Sequence, residues 1–151
     1  MKKNFLIFIG AIFICSYAFA QKLSEEQVPP AVKEKFQERY KEVKVKWNKG
    51  DEGNFEGEFK QNKKKITVVF NTDGKWVETR TEVDYQQLPS DIITFVFEKY
   101  KGYEMITTEK VERANGLTYH LELEDNKAKK LAEITFDKNG IMQEQVVKDE
   151  K

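Results

Sequence analysis

Two pairs of glutamates at i, i+2 have a spacing that suits chemistry: Glu56 with Glu58, and Glu122 with Glu124. On extended strands each pair shares a face with its side chains about 7 Å apart, within the range glycosidases use for paired carboxylates. His120 precedes Glu122 by two residues and falls on the same face. A histidine among carboxylates can ligate a metal, but the plainer expectation is a solvated sheet residue with a raised pKa. Nucleophilic catalysis is poorly supplied. The serines beyond residue 20 are Ser24 and Ser90, both at expected helix starts where capping accounts for them. Asp137-Lys138-Asn139-Gly140 resembles the opening of a calcium loop, yet the twelfth position is Lys148 and not glutamate, so it reads as a turn. Lys63 to Lys65, and Lys127 to Lys130, read as polar hairpin turns that discourage edge pairing.

These residues are positioned by a pattern that occurs twice, about sixty residues apart. Ser24-Glu25-Glu26-Gln27-Val28-Pro29 returns as Asp84-Tyr85-Gln86-Gln87-Leu88-Pro89, and Glu38-Arg39-Tyr40-Lys41 as Glu98-Lys99-Tyr100-Lys101. The turn Asn71-Thr72-Asp73-Gly74 returns as Asp137 to Gly140. Each copy opens with a proline-led helix carrying one apolar stripe, Val32, Phe36 and Tyr40 in the first and Ile92, Phe95, Val96 and Tyr100 in the second. Ser24 with Gln27, and Asp84 with Gln87, have capping-box spacing. The period then changes to two: Val43, Val45 and Trp47; Phe55, Gly57 and Phe59; Ile66, Val68 and Phe70; Val77, Thr79, Thr81 and Val83. In the second copy the same alternation is clearest at Leu117, Tyr119, Leu121 and Leu123, and at Ala132, Ile134 and Phe136. The expected fold is α+β, a tandem duplication of a helix and four antiparallel strands sharing one sheet, with helices on one face and the other face open. The repeats run from about 24 to 83 and from 84 to 147 within a single domain, 21–151.

Residues 1–20 read as an export signal. Lys2 and Lys3 precede an apolar run from Phe5 to Ile14, and Ala18-Phe19-Ala20 provides a cleavage site before Gln21. The run is too short to span about 30 Å of hydrocarbon. Cys15 raises the alternative of a lipid anchor, but Ile14 before it is not the small residue such a site wants. Cleavage after Ala20 leaves 131 residues with no cysteine, so a periplasmic or secreted domain must be held by its core alone. It also leaves 24 basic against 26 acidic side chains, a net −2 that gives no electrostatic reason for nucleic acid or an anionic membrane as partner.

The proline-led helices ending in Tyr40 and Tyr100, the strand end Lys46-Trp47 and the turn Asp73-Gly74-Lys75-Trp76 resemble the exported bacterial β-lactamase-inhibitor-like, PepSY-like family over about residues 24–147. The resemblance implies helices packed on one side of an antiparallel sheet, no catalytic residues, no cofactor and no established ligand. The inhibitor in the name describes shape, so no β-lactamase target is implied. The second copy departs from the first, with Thr107 where Trp47 stands and Met142 where Trp76 stands.

A four-residue hairpin loop at Asn71 to Gly74 would set Phe70 against Lys75, Val69 against Trp76 and Val68 against Val77. Val69 and Trp76 would then be neighbours on the open face, ringed by Glu56, Glu58, Glu78 and Arg80, with His120 on the same face. That composition suits an interaction hot spot. The alternative is that Trp76 folds over the sheet edge or packs under a terminal segment. These residues predict a non-catalytic binding module, a monomer or weak homodimer, that recognises a protein or peptide in the cell envelope and restrains or regulates it. The rivals are a carboxylate hydrolase, which a closed apolar-walled pocket holding two of the glutamates would favour and a flat wet face would exclude, and a small-ligand or metal carrier.

Overall fold

Prolines set where both helices begin. In the computed structural model, which describes residues 21–149, Pro30 opens α1 (Pro30–Arg39) and Pro89 caps α2 (Ser90–Lys99). The expected leader lies outside the described residues. Among those described, no helix is long and apolar enough to cross a membrane. A short 3-10 turn precedes each helix. In the first, the Gln27 side chain accepts from the Ser24 amide at 2.8 Å. In the second, Asp84 accepts from Gln86 rather than from the third residue on, and Gln87 instead accepts from Lys64 Nζ at 3.0 Å. Tyr40 and Tyr100 end the helices, their amides bonded to Phe36 and Val96.

Among the described residues, nine strands form one antiparallel sheet in chain order: β1 (Gln21–Leu23), β2 (Lys46–Lys49), β3 (Phe55–Gln61), β4 (Lys64–Phe70), β5 (Trp76–Glu82), β6 (Glu104–Arg113), β7 (Gly116–Asp125), β8 (Lys130–Asp137) and β9 (Met142–Asp149). The helices cover one face in two separate cores. Val32 and Phe36 of α1 pack on Trp47, Phe55, Phe59, Val68 and Phe70, and Ile92 and Val96 of α2 pack on Leu121, Leu123, Ala132, Ile134 and Phe136. Backbone pairing of β5 with β6, from Glu78 opposite Arg113 to Glu82 opposite Glu109, joins the two halves into one sheet. The short β1 at the free edge of β2 was not expected.

The turn after β4 is one residue tighter than the four-residue loop assumed. Asn71 and Lys75 close it, the Asn71 amide donating to the Lys75 carbonyl at 3.0 Å while Asn71 Oδ1 accepts from the Asp73 and Lys75 amides. Gly74 sits at φ +78°, and a Cβ there would lie 2.7 Å from the Ala31 carbonyl oxygen, so only glycine fits. Phe70 therefore faces Trp76, Val69 faces Glu78 and Val68 faces Thr79, with a β-bulge absorbing the extra residue. Asp137 to Ile141 makes the same turn, with Asp137 Oδ1 accepting from Asn139 and Ile141, and the same bulge follows between β8 and β9.

Candidate functional site

The tighter turn exchanges Trp76 and Val77 between the faces, and the bulge restores the expected phase from Glu78 onward. Trp76, expected beside Val69 on the open face, lies on the helix side opposite Phe70 and packs on the α1 core. Its indole N–H donates to Thr79 Oγ1 at 2.9 Å, and the Arg39 guanidinium sits 4.7 Å from the ring centroid. Val77 takes its place on the open face. Thr107 is likewise corrected. The bulge between Met105 and Thr107 turns it to the open face, whereas Trp47, sixty residues earlier, is core. The expected match of Met142 to Trp76 agrees with their registers, opposite Phe136 and Phe70 respectively.

The open face is concave. A cavity of about 400 Å³ is lined from the Asp51–Glu52 turn and Glu56 of β3 across to Glu144 and Val146 of β9. On a flat sheet β3 and β9 would lie six spacings apart, roughly 29 Å, so one cavity reached by both requires the sheet to curl. Glu56, Val69, Glu78, Arg80 and His120, all expected at this face, line it. Glu58 is on the same side of β3 but outside the cavity lining, its carboxylate 3.1 Å from Lys65 Nζ. The cavity also gathers Glu109, Arg113, Glu122 and Glu133, and Val77 beside Val69. Glu109, Val111 and Arg113 alternate along β6, a signal hidden in the sequence by the bulge at its start.

Charges on this face form a chain. Arg80 Nη2 holds Glu56, Arg80 Nε lies 3.1 Å from Glu78 Oε1, and Glu78 Oε2 lies 2.6 Å from Arg113 Nη2. Arg113 Nη1 donates to Thr118 Oγ1 at 3.4 Å, and that hydroxyl is 3.1 Å from His120 Nε2. The Arg80 Nε–Glu78 contact is an ion pair without hydrogen-bond alignment, leaving that buried N–H unbonded. Burial works against the Arg80 charge, but Glu56, Glu78 and Glu109 more than offset it and raise its pKa. Burial lifts the Glu109 carboxyl above the usual range, with Arg80 and Lys65 opposing and Glu122 and Glu78 adding to the shift. His120 behaves contrary to the expectation of a raised pKa. Burial first, then Arg113 and Arg80, push it down to about 4, so it is neutral at ordinary pH.

The cavity thus meets neither extreme set for a hydrolase. It is not flat, since Glu56 and Glu122 share it, and it is not apolar-walled, since acidic groups and two arginines surround them. Glu56 is held by a guanidinium and Glu122 accepts from Thr107 Oγ1 at 3.0 Å. Among the described residues, no three His, Cys, Asp or Glu side chains cluster as a metal site would require.

The antiparallel sheet with two helices on one face is the arrangement that the resemblance in sequence implies. The chain belongs to the family described as "Putative beta-lactamase-inhibitor-like, PepSY-like", whose family model matches residues 18–62 and 53–144. Solved structures share the fold. A protein from Bacteroides eggerthii described as "putative periplasmic" superposes with TM-score 0.74 at 16% identity, over 80% of this chain and 88% of that one. A DUF2874 family protein from Bacteroides ovatus gives 0.71 at 22% identity, over 79% and 87%. A BLIP-like protein from Bacteroides fragilis gives 0.64 at 16%, over 78% and 84%. No functionally curated protein sequence matches.

Proposed function

We propose that the protein is an exported, non-catalytic binding module whose concave sheet face receives a segment of a protein or peptide partner in the cell envelope and restrains or regulates it. The observation that carries this is the cavity itself, an apolar floor of Val69, Val77 and Val146 walled by a connected set of charges. Acidic side chains outnumber the two arginines there, with His120 neutral, so a positively charged segment suits it best. The BLIP-like description of the Bacteroides fragilis protein is consistent with binding as the use of this fold. In the same reading, residues 1–20 are a signal removed after Ala20, the mature protein is periplasmic or secreted, and residues 24–83 and 84–147 are tandem copies of a helix-plus-four-strand unit within one domain. The matching turns and bulges after β4 and β8 support the duplication.

A crosslinking pull-down from the exporting cell's envelope tests the site. Val77→Lys, placed on the cavity floor and 37% exposed in the parent, is expected to lose the partner while keeping its unfolding temperature. Trp76→Ala is expected to keep the partner while losing about 2 kcal/mol of stability, because its ring packs on the opposite face. The reverse pattern would put the binding surface on the helix side and end the present assignment.

A further inference from the structure

The two ends of the sheet are unequal. β1 offers three residues as an edge, whereas β9 offers eight and pairs on one side only among the described residues. A long edge strand displays a row of unpaired N–H and C=O groups, and proteins usually blunt such edges with proline, a mid-strand bulge or charge. β9 has no proline, and its bulge lies at its beginning, between the pairs Thr135–Glu144 and Phe136–Met142. Val147, on its helix side opposite Ala132, is 44% exposed. Charge is therefore the remaining defence.

From Glu144 onward, β9 alternates regularly. Glu144, Val146 and Lys148 face the open side, opposite Thr135, Glu133 and Leu131. Antiparallel neighbours must match faces, so a two-fold pairing of β9 with itself has to be centred on a residue, not between two. Centring on Glu144 or on Lys148 sets like charges against each other, centring on Gln145 sets Glu144 against Val146, and centring on Val147 sets Lys148 against Val146. Centring on Val146 sets Glu144 of each copy directly against Lys148 of the other, twice, with the two Val146 side chains meeting at the axis. Lys148 Nζ already bonds both oxygens of Glu133 at 2.9 Å, which leaves its third proton for the incoming carboxylate.

We propose that this strand is a homodimerisation edge: β9 pairs with β9 of a second copy, antiparallel and centred on Val146, extending the two sheets into one. The charges that would repel a foreign strand select this partner in this register. Both open faces then point the same way, and Glu144 and Val146, which line the cavity, bring the second copy to its wall.

The test uses the full chain purified from the cell envelope with Cys15→Ser, so that an introduced thiol is the only one. Val146→Cys is expected to crosslink to itself with a short bis-maleimide, since directly opposed Cβ atoms lie about 5 Å apart. Lys22→Cys, on the β1 edge, is expected not to. In sedimentation equilibrium, Glu144→Lys is expected to weaken the dimer about tenfold by setting lysine against lysine twice, and Glu144→Lys with Lys148→Glu to restore it. Thermal unfolding of each variant separates dimer loss from loss of fold. A protein that sediments as a monomer at every concentration overturns the proposal. So does a dimer indifferent to Glu144→Lys, or equal crosslinking at Lys22→Cys.

Discussion

Replacing Arg80 with methionine is expected to lower the stability of the fold by about 3 kcal/mol, read as a lower urea midpoint with an unchanged slope. Arg80 is the only cation that touches both Glu56 and Glu78 among the described residues, and its side chain is 27% exposed against 21% and 14% for theirs. Methionine retains much of the apolar stem but leaves Glu56 without the guanidinium and Glu78 with Arg113 alone. Removing one partner of a buried pair costs about 3–5 kcal/mol, and the residual water access here puts the expectation at the lower end. Adding Glu56→Gln to Arg80→Met should recover part of the loss, because a neutral amide tolerates that site without a counter-ion. A single variant within a few tenths of a kcal/mol of the parent would mean that water already screens these charges. The cavity would then be a solvated surface and not a preorganised one.

The charge chain also marks where sequence reasoning reached its limit. Alternation places a residue on a face but does not reveal which strands curl towards one another. Alternation alone sets Glu56 and His120 on the open side, yet their meeting in one cavity depends on curvature that no single strand encodes. The helices were the most legible elements, because Pro29 and Pro89 fix their starts and Val32, Phe36, Ile92 and Val96 repeat at helical spacing. The strand phases beyond the turns were legible too, with Val68, Phe70, Leu121, Leu123 and Ile134 all inward as expected. The failures cluster at bulges. One residue fewer in the Asn71 turn and one more in β5 cancel within a few positions, so the later part of β5 keeps its phase while Trp76 and Val77 exchange faces. The Asn71 side chain decides this by collecting two amides, an interaction the Asn-Thr-Asp-Gly composition permits without requiring. The bulge at Met105–Thr107 hid β6 in the same way, and with it Glu109 and Arg113.

Acid is expected to weaken the fold through His120, and His120→Gln is expected to remove that sensitivity. With a folded-state pKa of about 4 against 6.5 for the free side chain, His120 is neutral in both states above pH 6.5. As the pH falls from 6.5 towards 4 the unfolded chain takes up a proton that the folded chain refuses. Stability is therefore present above the unfolded value and drains away across that window, by about 3 kcal/mol in all. Burial sets the sign, and the charges facing the ring reinforce it. Glu109 stands opposite on β6 and Thr135 opposite on β8, Thr118 and Glu122 flank it on β7, and the Arg113 and Arg80 charges oppose a third positive charge beside them. Glu109 contributes in the other direction. Its raised pKa means the folded state accepts a proton first, so it adds stability as the pH falls through its range and flattens the lower end of the curve. Urea unfolding across this window should show three distinct slopes: the parent falling, His120→Gln nearly level from about pH 6.5 to 5, and Glu109→Gln falling more steeply than the parent near the acid end. Parallel curves for the parent and His120→Gln would show that the imidazole titrates as freely in the folded protein as in the unfolded chain, and would overturn this expectation.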